Sequence, residues 1–438
     1  MKIFVQGLSH TGSVYSACLA ELGHTVIAYD ADIKIIKNLK KGIAPIYEPG
    51  LSKLIKKNTS KKKLTYISKL NHINLSDFVW FTYDPIVNEK DISNILPTIN
   101  NIKKTLKKLK NNANIIISSQ LPVGSINKLE KYSYKELNKS FNFYCCPENL
   151  RLGNSIKSFL KPSRIVVGYR TSADKLKIKK LLSKINKKII WMSIESAEVT
   201  KHAINSFLGM SVSFINEIAS ICEFTNASAH EVEKGLKSEP RIGKKAFLSP
   251  GLAFSGGTLG RDINYLKQVS KKLKLRNLLI SSILDSNKNH KLWIFDKLKQ
   301  IIKKNKIKNI CIWGFSYVEN TDTLRRSLGI DIAKWLSKRG IKVFGYDKTV
   351  KKLPNYIYKL SDSKSKIKES QILIILSKDK DLYKTLNKDE IISMYKLNKK
   401  LLVIDPNSAF KIFKKYYISK YIFVGKNKIS KSRSDDQK

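Results

Sequence analysis

Apolar residues in the first third of the chain fall into short runs separated by amphipathic stretches. Residues 1–7 (MKIFVQG) predict a buried strand, 13–23 a helix, and 25–30 (TVIAYD) a second strand ending at Asp30. FVWFTY, NIIISSQ and RIVVGY are later apolar runs of strand length. This alternation predicts a parallel sheet covered by helices. From about 195 to 223 the pattern becomes one long helix, without proline and with the single glycine Gly209. Its residues Val199, Ala203, Phe207, Met210, Phe214 and Ile218 recur at steps of three and four and so share one apolar face. Such a face is best buried between two subunits. A Gly/Pro-rich loop is predicted at 238–261 and further helix at 262–304. The strand and helix alternation then restarts with KNICIWGF, a helix near 327–340, and KVFGYD, followed by ILIIL and LLVID. The expected fold class is α/β, with two parallel-sheet domains (1–190 and 305–425) joined by a central long-helix region (191–304). A polar tail (426–438) follows. The two α/β parts share architecture but little sequence.

Charge changes this picture little. The chain carries 83 Lys+Arg against 35 Asp+Glu, a formal net charge of +48. The lysines are spread along the whole chain, and the densest runs, such as KKTLKKLK at 103–110, read as solvated helix faces. A nucleic-acid binder concentrates its charge and interleaves it with aromatics, so no nucleic-acid partner is expected. The field still favours anions such as nucleotides. Hydrophobic residues make up 42%, which argues against disorder. No unbroken apolar run reaches the roughly 18 residues of a membrane helix, and the first residues lack a signal-peptide pattern. Five scattered cysteines (Cys18, Cys145, Cys146, Cys222, Cys311) give neither metal-ligand spacing nor a disulfide framework. The expectation is a cytoplasmic protein with no membrane partner and no metal.

Candidate chemistry begins at the first strand–helix junction. Gly7-Leu8-Ser9-His10-Thr11-Gly12 is G-x-S-x-x-G, a Rossmann dinucleotide fingerprint with serine at its middle glycine. Gly7 allows the tight turn and Gly12 the close approach of helix to strand. Ser9 lies where backbone meets a pyrophosphate at the helix N-terminus. Asp30 ends the second strand, close to the spacing of the carboxylate that bonds ribose hydroxyls. It would repel a 2′-phosphate, so NAD is the expected cofactor rather than NADP. The first sheet domain is accordingly read as Rossmann-like.

Motifs along nearly the whole chain resemble the UDP-glucose/GDP-mannose dehydrogenase family. GHTVIAYDADIKIIKNLKKGIAPIYEPGL is similar to its first βαβ unit and Glu-Pro-Gly-Leu loop. Leu121-Pro122-Val123-Gly124-Ser125 resembles its V-P-V-G-T turn, and Pro147-Glu148-Asn149-Leu150-Arg151 with Gly153 its P-E-F-L-R-E-G segment. Lys201-His202-Ala203-Ile204-Asn205 and Phe214-Ile215-Asn216-Glu217 resemble its central helix. Arg241-Ile242-Gly243 and Phe247-Leu248-Ser249-Pro250-Gly251 resemble its substrate loop. Gly314, Asn320-Thr321-Asp322, Arg325 and Ser327 resemble its C-terminal signature. The resemblance implies an NAD-binding Rossmann domain, a dimer-building central helix and a C-terminal Rossmann-like domain holding a nucleotide sugar, so that both parallel-sheet domains are expected to be Rossmann-like. It implies Lys201, Asn205, Asp262 and Glu148 as catalytic residues, and Gly7, Ser9, Gly12, Asp30, Gln120 and Arg325 on the cofactor. It places Arg241, Phe247, Leu248, Gly251 and Thr258 on the substrate, Arg241 reaching a neighbouring subunit.

The departures from the family pattern fall together. Members oxidise a sugar alcohol twice, the second time through a thiohemiacetal on a cysteine in G-F-G-G-S-C-F-P-K-D. Aligned without gaps, this chain reads Ala253-Phe254-Ser255-Gly256-Gly257-Thr258-Leu259-Gly260-Arg261-Asp262, with Thr258 in the place of the thiol. A hydroxyl is far less nucleophilic near neutral pH. The second glutamate of P-E-F-L-R-E, tied to hydrolysis, is Leu152; a threonine near the reacting groups is Gln120. The family's T-P turn is Asp84-Pro85, and its C-terminal F-K pair is Tyr317-Val318. These losses touch the aldehyde-to-acid half of the reaction. The leading expectation is one two-electron oxidation of a UDP- or GDP-sugar hydroxyl. The alternatives are the ordinary four-electron UDP-glucose 6-dehydrogenase reaction and a retired enzyme that only binds nucleotide or a partner.

Overall fold

Residues 1–70, 73–88, 91–255, 257–316, 321–324, 326–377, 388–417 and 420–426 are described in a computed structural model. The chain forms two compact units. The first comprises Met1–Asn205 and Asn264–Arg276, the second Ser206–Ile263 and Asn277–Lys438.

The first unit is built on β1 (Lys2–Gln6), α1 (His10–Glu21), β2 (Thr25–Tyr29), α2 (Ile33–Lys40), α3 (Leu51–Ser60), β3 (Leu64–Ile67) and β4 (Phe78–Phe81). It continues through α4 (Leu96–Lys108), β5 (Asn114–Ile117), α5 (Ser125–Leu137), β6 (Asn142–Cys145), α6 (Ser155–Leu160), β7 (Ile165–Tyr169), α7 (Ser172–Leu182) and β8 (Ile189–Ser193). The eight strands form one sheet in the order β8-β7-β6-β5-β4-β1-β2-β3. Ile3, Phe4 and Val5 of β1 and all four residues of β4 are buried, as unbroken apolar runs in a sheet covered on both faces must be. Helix termini are set locally: Asp32 caps α2 by accepting from the N–H of Lys34 and Ile35, and Thr171 and Asp174 form a reciprocal capping box on α7. One feature departs from a wholly parallel sheet. β7 meets β6 antiparallel through the single bridge Cys145–Gly168, and β8 runs parallel to β7.

Helix α8 spans Ile194–Thr225, within two residues of its predicted ends. Gly168 lets it start close to β7, since a Cβ there would lie 2.7 Å from the Ile194 Cα. By length and composition alone α8 could cross a membrane. It instead buries Glu198, His202, Asn205, Ser206 and Asn216, which fits the core helix of a folded unit. Its predicted apolar face is uncovered: Phe207 is 62% and Phe214 46% exposed, with Ile221 and Phe224 continuing the stripe.

The second unit contains α9 (Ala229–Ser238), α11 (Leu278–Lys291) and α12 (Trp293–Lys304), and α10 (Thr258–Lys272) begins in it. Its sheet is formed by β9 (Asn309–Trp313), β10 (Lys342–Tyr346), β11 (Ile357–Lys359), β12 (Ile372–Ile375), β13 (Leu402–Ile404) and β14 (Tyr421–Ile422). The order is β11-β10-β9-β12-β13-β14, parallel throughout, with α13 (Leu328–Ser337), α14 (Lys388–Leu397) and α15 (Lys411–Tyr416) among its connections. In both units the order reverses beside the first strand, between β1 and β4 and between β9 and β12. Ligands of open α/β sheets bind at that kind of switch point. The predicted loop to Arg261 ends earlier than expected, because Thr258 already opens α10.

Candidate active site

The dinucleotide loop sits at the switch point of the first unit. Gly7 has φ +95°, and a Cβ there would lie 2.6 Å from the Tyr83 ring. A Cβ on Gly12 would fall 2.0 Å from the Gly7 carbonyl oxygen, so α1 can approach β1 only with glycine there. The Thr82 hydroxyl donates to the same carbonyl at 2.9 Å. The half-buried Asp30 carboxylate accepts from the N–H of Leu8 (2.7 Å) and of Asp32 (2.9 Å), which fixes it at the end of β2. This glycine cradle and fixed carboxylate fit a dinucleotide. Ser9 ends the loop, and its hydroxyl donates to Asp84 at 2.5 Å; the Thr11 hydroxyl donates to the other Asp84 oxygen at 3.1 Å. His10 points elsewhere, onto the buried Glu48, which also takes the Ser155 hydroxyl and the N–H of Gly153 and Ser155.

The second unit repeats the turn. Gly314 has φ +98°, and the Phe315 N–H donates to Asp347 at 2.7 Å, as Leu8 does to Asp30. Asp347 was not read from the sequence as a site residue. Its signal was available: an Asp directly after the strand-like KVFGY, as Asp30 follows TVIAY.

Three predicted residues of the first unit come together under α8. Gln120 donates its side-chain amide to Glu148 Oε2 at 2.7 Å, and Lys201 Nζ lies 3.7 Å from the same oxygen. The Leu150 N–H donates to Glu148 Oε1. Gln120 and Glu148 are buried, Lys201 nearly so, and Asn205 is buried one turn along from Lys201. A cavity of about 20 Å³ among Ser119, Gln120, Glu148, Glu198 and Lys201 has room for one water. A larger groove, about 560 Å³, runs between α3 and α6 and touches none of the predicted site residues.

Sequence reasoning missed the supports of this cluster. Glu198 accepts from the N–H of Gly124 (2.6 Å) and Ile126 (3.1 Å), anchoring the Leu121–Ser125 turn to α8. Burial raises the Glu198 carboxyl above its ordinary range, partly offset by those two bonds. His202 Nε2 donates to the Leu121 carbonyl at 2.9 Å, and the Tyr265 hydroxyl to the Gln120 carbonyl at 3.3 Å.

In the second unit, Asp262 is fully buried and paired with the guanidinium of Arg261 at 3.2 Å. The substrate-type loop is pinned by side chains. Asn216 accepts from the Gly251 N–H, His290 donates to the Gly251 carbonyl, and Asn287 brackets Phe254 through both its N–H and its carbonyl. Leu248 and Gly251 are buried and Phe247 is exposed. Arg241 is solvent-exposed, and its guanidinium pairs with Glu239 at 2.7 Å. Gly256, Tyr317, Val318, Asn320, Arg325 and the tail beyond 426 lie outside the described residues.

All five cysteines are free and buried. Burial raises every one of these thiols, Cys146 and Cys311 to about 12. None is poised as a thiolate nucleophile.

Three family models match in series. The NAD binding domain of the UDP-glucose/GDP-mannose dehydrogenase family covers residues 1–189, its central domain 195–289 and its UDP binding domain 311–412. The chain belongs to this family. Among curated relatives it is similar to the UDP-glucose 6-dehydrogenase TuaD of Bacillus subtilis, 32% identical over 351 residues (79% of this chain, 76% of the relative). It is also similar to the UDP-glucose 6-dehydrogenase of Rickettsia bellii, 30% identical over 424 residues (94% and 96%). The fold matches a UDP-glucose dehydrogenase from Pyrobaculum islandicum, with TM-score 0.83, 20% identity and 97% of each chain covered. As a UDP-glucose/GDP-mannose dehydrogenase family member, the chain is an NAD-dependent oxidoreductase acting on CH–OH groups. The family assignment places the Gly7–Gly12 loop in the NAD domain, and the Gly314–Asp347 turn opens the UDP domain.

Proposed function

We propose that the chain oxidises one hydroxyl of a UDP- or GDP-sugar in a single two-electron step and releases a carbonyl product. The observation that carries this reading is the state of the thiols. Thr258 stands where acid formation needs a cysteine, and all five cysteines are buried and held protonated. Leu152 also leaves the hydrolytic position without a carboxylate. Alcohol oxidation needs neither group. NAD, when bound, accepts the hydride from the carbon bearing the hydroxyl. Gly7, Ser9, Gly12, Asp30, Gln120 and Arg325 form the cofactor side of the proposal. Lys201 and Asn205 address the alcohol oxygen, Asp262 is the further acid–base group, and Glu148 takes the proton passed by Lys201, 3.7 Å away. Arg241, Phe247, Leu248, Gly251 and Thr258 are assigned to the sugar nucleotide.

The test is incubation with NAD and a panel of nucleotide sugars, reading NADH and product mass. One NADH per sugar and a product trapped by hydroxylamine are expected. Lys201→Ala should lose about 10²–10⁴-fold in turnover, the usual contribution of a positioned acid–base group. Thiol alkylation of the folded protein should leave turnover intact. Two NADH per sugar with a uronic acid would assign the ordinary four-electron reaction. NAD binding without NADH from any sugar would assign a retired enzyme.

A further inference from the structure

We infer that Asp84 occupies the anion position of the dinucleotide loop with its own carboxylate, so that NAD must displace it to seat its diphosphate. The loop leads into α1, where backbone N–H groups and the helix dipole favour negative charge. Ser9 is the N-cap of α1, yet its hydroxyl makes no capping bond. It turns instead to Asp84 Oδ2 at 2.5 Å, while Thr11, in the first turn, reaches Asp84 Oδ1 at 3.1 Å. Both carboxylate oxygens are therefore held by hydroxyls of the loop that the diphosphate has to contact. The first turn of α1 carries no acidic residue of its own, so Asp84 supplies the negative charge there. In a chain of net charge +48, no lysine or arginine among the described residues is paired with this carboxylate.

The segment is built so that Asp84 can leave without disturbing the turn. Thr82 is bonded to Gly7, and the Tyr83 ring packs over Gly7. Asp84 is the next residue and is solvent-exposed. Displacement exchanges two hydroxyl–carboxylate bonds for contacts to a dianion and leaves like charges close together unless Asp84 swings out. Asp84 is thus an affinity-setting residue rather than a catalytic one, and Ser9 takes part because a glycine there would offer no hydroxyl to hold it.

The inference rests on NAD binding and is independent of how many hydrides are transferred. Calorimetric titration of the full chain with NAD at low salt tests it without turnover. Asp84→Asn should bind NAD at least tenfold tighter than the unaltered chain, about 1.4 kcal/mol. Asp84→Ala should act in the same direction. The gain should shrink in 0.5 M salt, which screens exposed charges, and adenosine, which has no phosphate, should show none of it. Thermal melts of both variants check that they fold, and both should melt cooperatively. Unchanged or weaker NAD binding by both variants would overturn the inference. So would an equal gain for adenosine, a gain insensitive to salt, or failure of all three chains to bind NAD.

Discussion

We propose that Asp30 sets which dinucleotide the loop accepts. Its carboxylate is held at the end of β2 by two backbone N–H groups, so it cannot turn away from whatever occupies the ribose position. Ribose hydroxyls can donate to such an oxygen, whereas a 2′-phosphate meets it as a like charge. NAD should therefore bind at least tenfold more tightly than NADP, about 1.4 kcal/mol. Asp30→Ala should narrow that gap, and equal affinities in the unaltered chain would sink the role given to Asp30. The spacing from Gly7 to Asp30 was readable because one βαβ unit fixes it locally. The partners of the loop were not. Asp84 lies 75 residues from Ser9, and no pattern in either segment announces the bond between them. The same is true of Glu198, which reaches Gly124 across 74 residues.

At the scale of elements, α8 carries the most unfinished surface. Phe207, Phe214 and Ile221 lie seven residues apart and are 62%, 46% and 57% exposed. Steps of seven bring side chains back to nearly the same face. A contiguous apolar stripe of that size marks an interaction surface, and a second copy of the chain is the proposed occupant. Light scattering at micromolar concentration should give at least twice the 50.0 kDa chain mass. The double substitution Phe207→Glu/Phe214→Glu should shift it toward the monomer while the circular dichroism stays helical. A monomer in the unaltered chain would contradict the assignment. The helix itself was legible because its pattern runs unbroken by proline for eight turns. Strands with four apolar residues in a row, such as β4 (FVWF) and β12 (ILII), were legible for the same reason. β3 (LTYI), β6 (NFYC) and β8 (IIWMS) are short, mixed with polar or half-buried residues, and receive their strand identity from the neighbours they pair with. The reversal of β7 against β6 is likewise a property of pairing, which no single segment encodes.

For the whole molecule, two buried groups make stability fall on the acid side. His24, at the turn before β2, is fully buried, and neither ring nitrogen finds a partner among the described residues. Burial, the N-terminal ammonium and Lys184 lower it from 6.5 to about 4. The folded chain therefore keeps His24 neutral where the unfolded chain protonates it. Its contribution is complete above the unfolded value and is lost as pH falls from about 6.5 through about 4. Glu48 adds a second, lower window. Burial alone would raise its carboxyl, but His10, Ser155 and Gly153 together hold it below the ordinary range. That stability is present above about pH 4.5 and is lost as pH falls through the lower, folded value. Melting curves taken downward from pH 8 should show the His24 step first and the Glu48 step below it. His24→Phe should flatten the decline between about pH 6.5 and 4, because no buried ring then has to stay neutral. Glu48→Gln should melt below the unaltered chain at pH 7, and the two should converge as the pH falls through the lowered, folded value of Glu48. A His24→Phe profile parallel to that of the unaltered chain would show that the upper step has another origin.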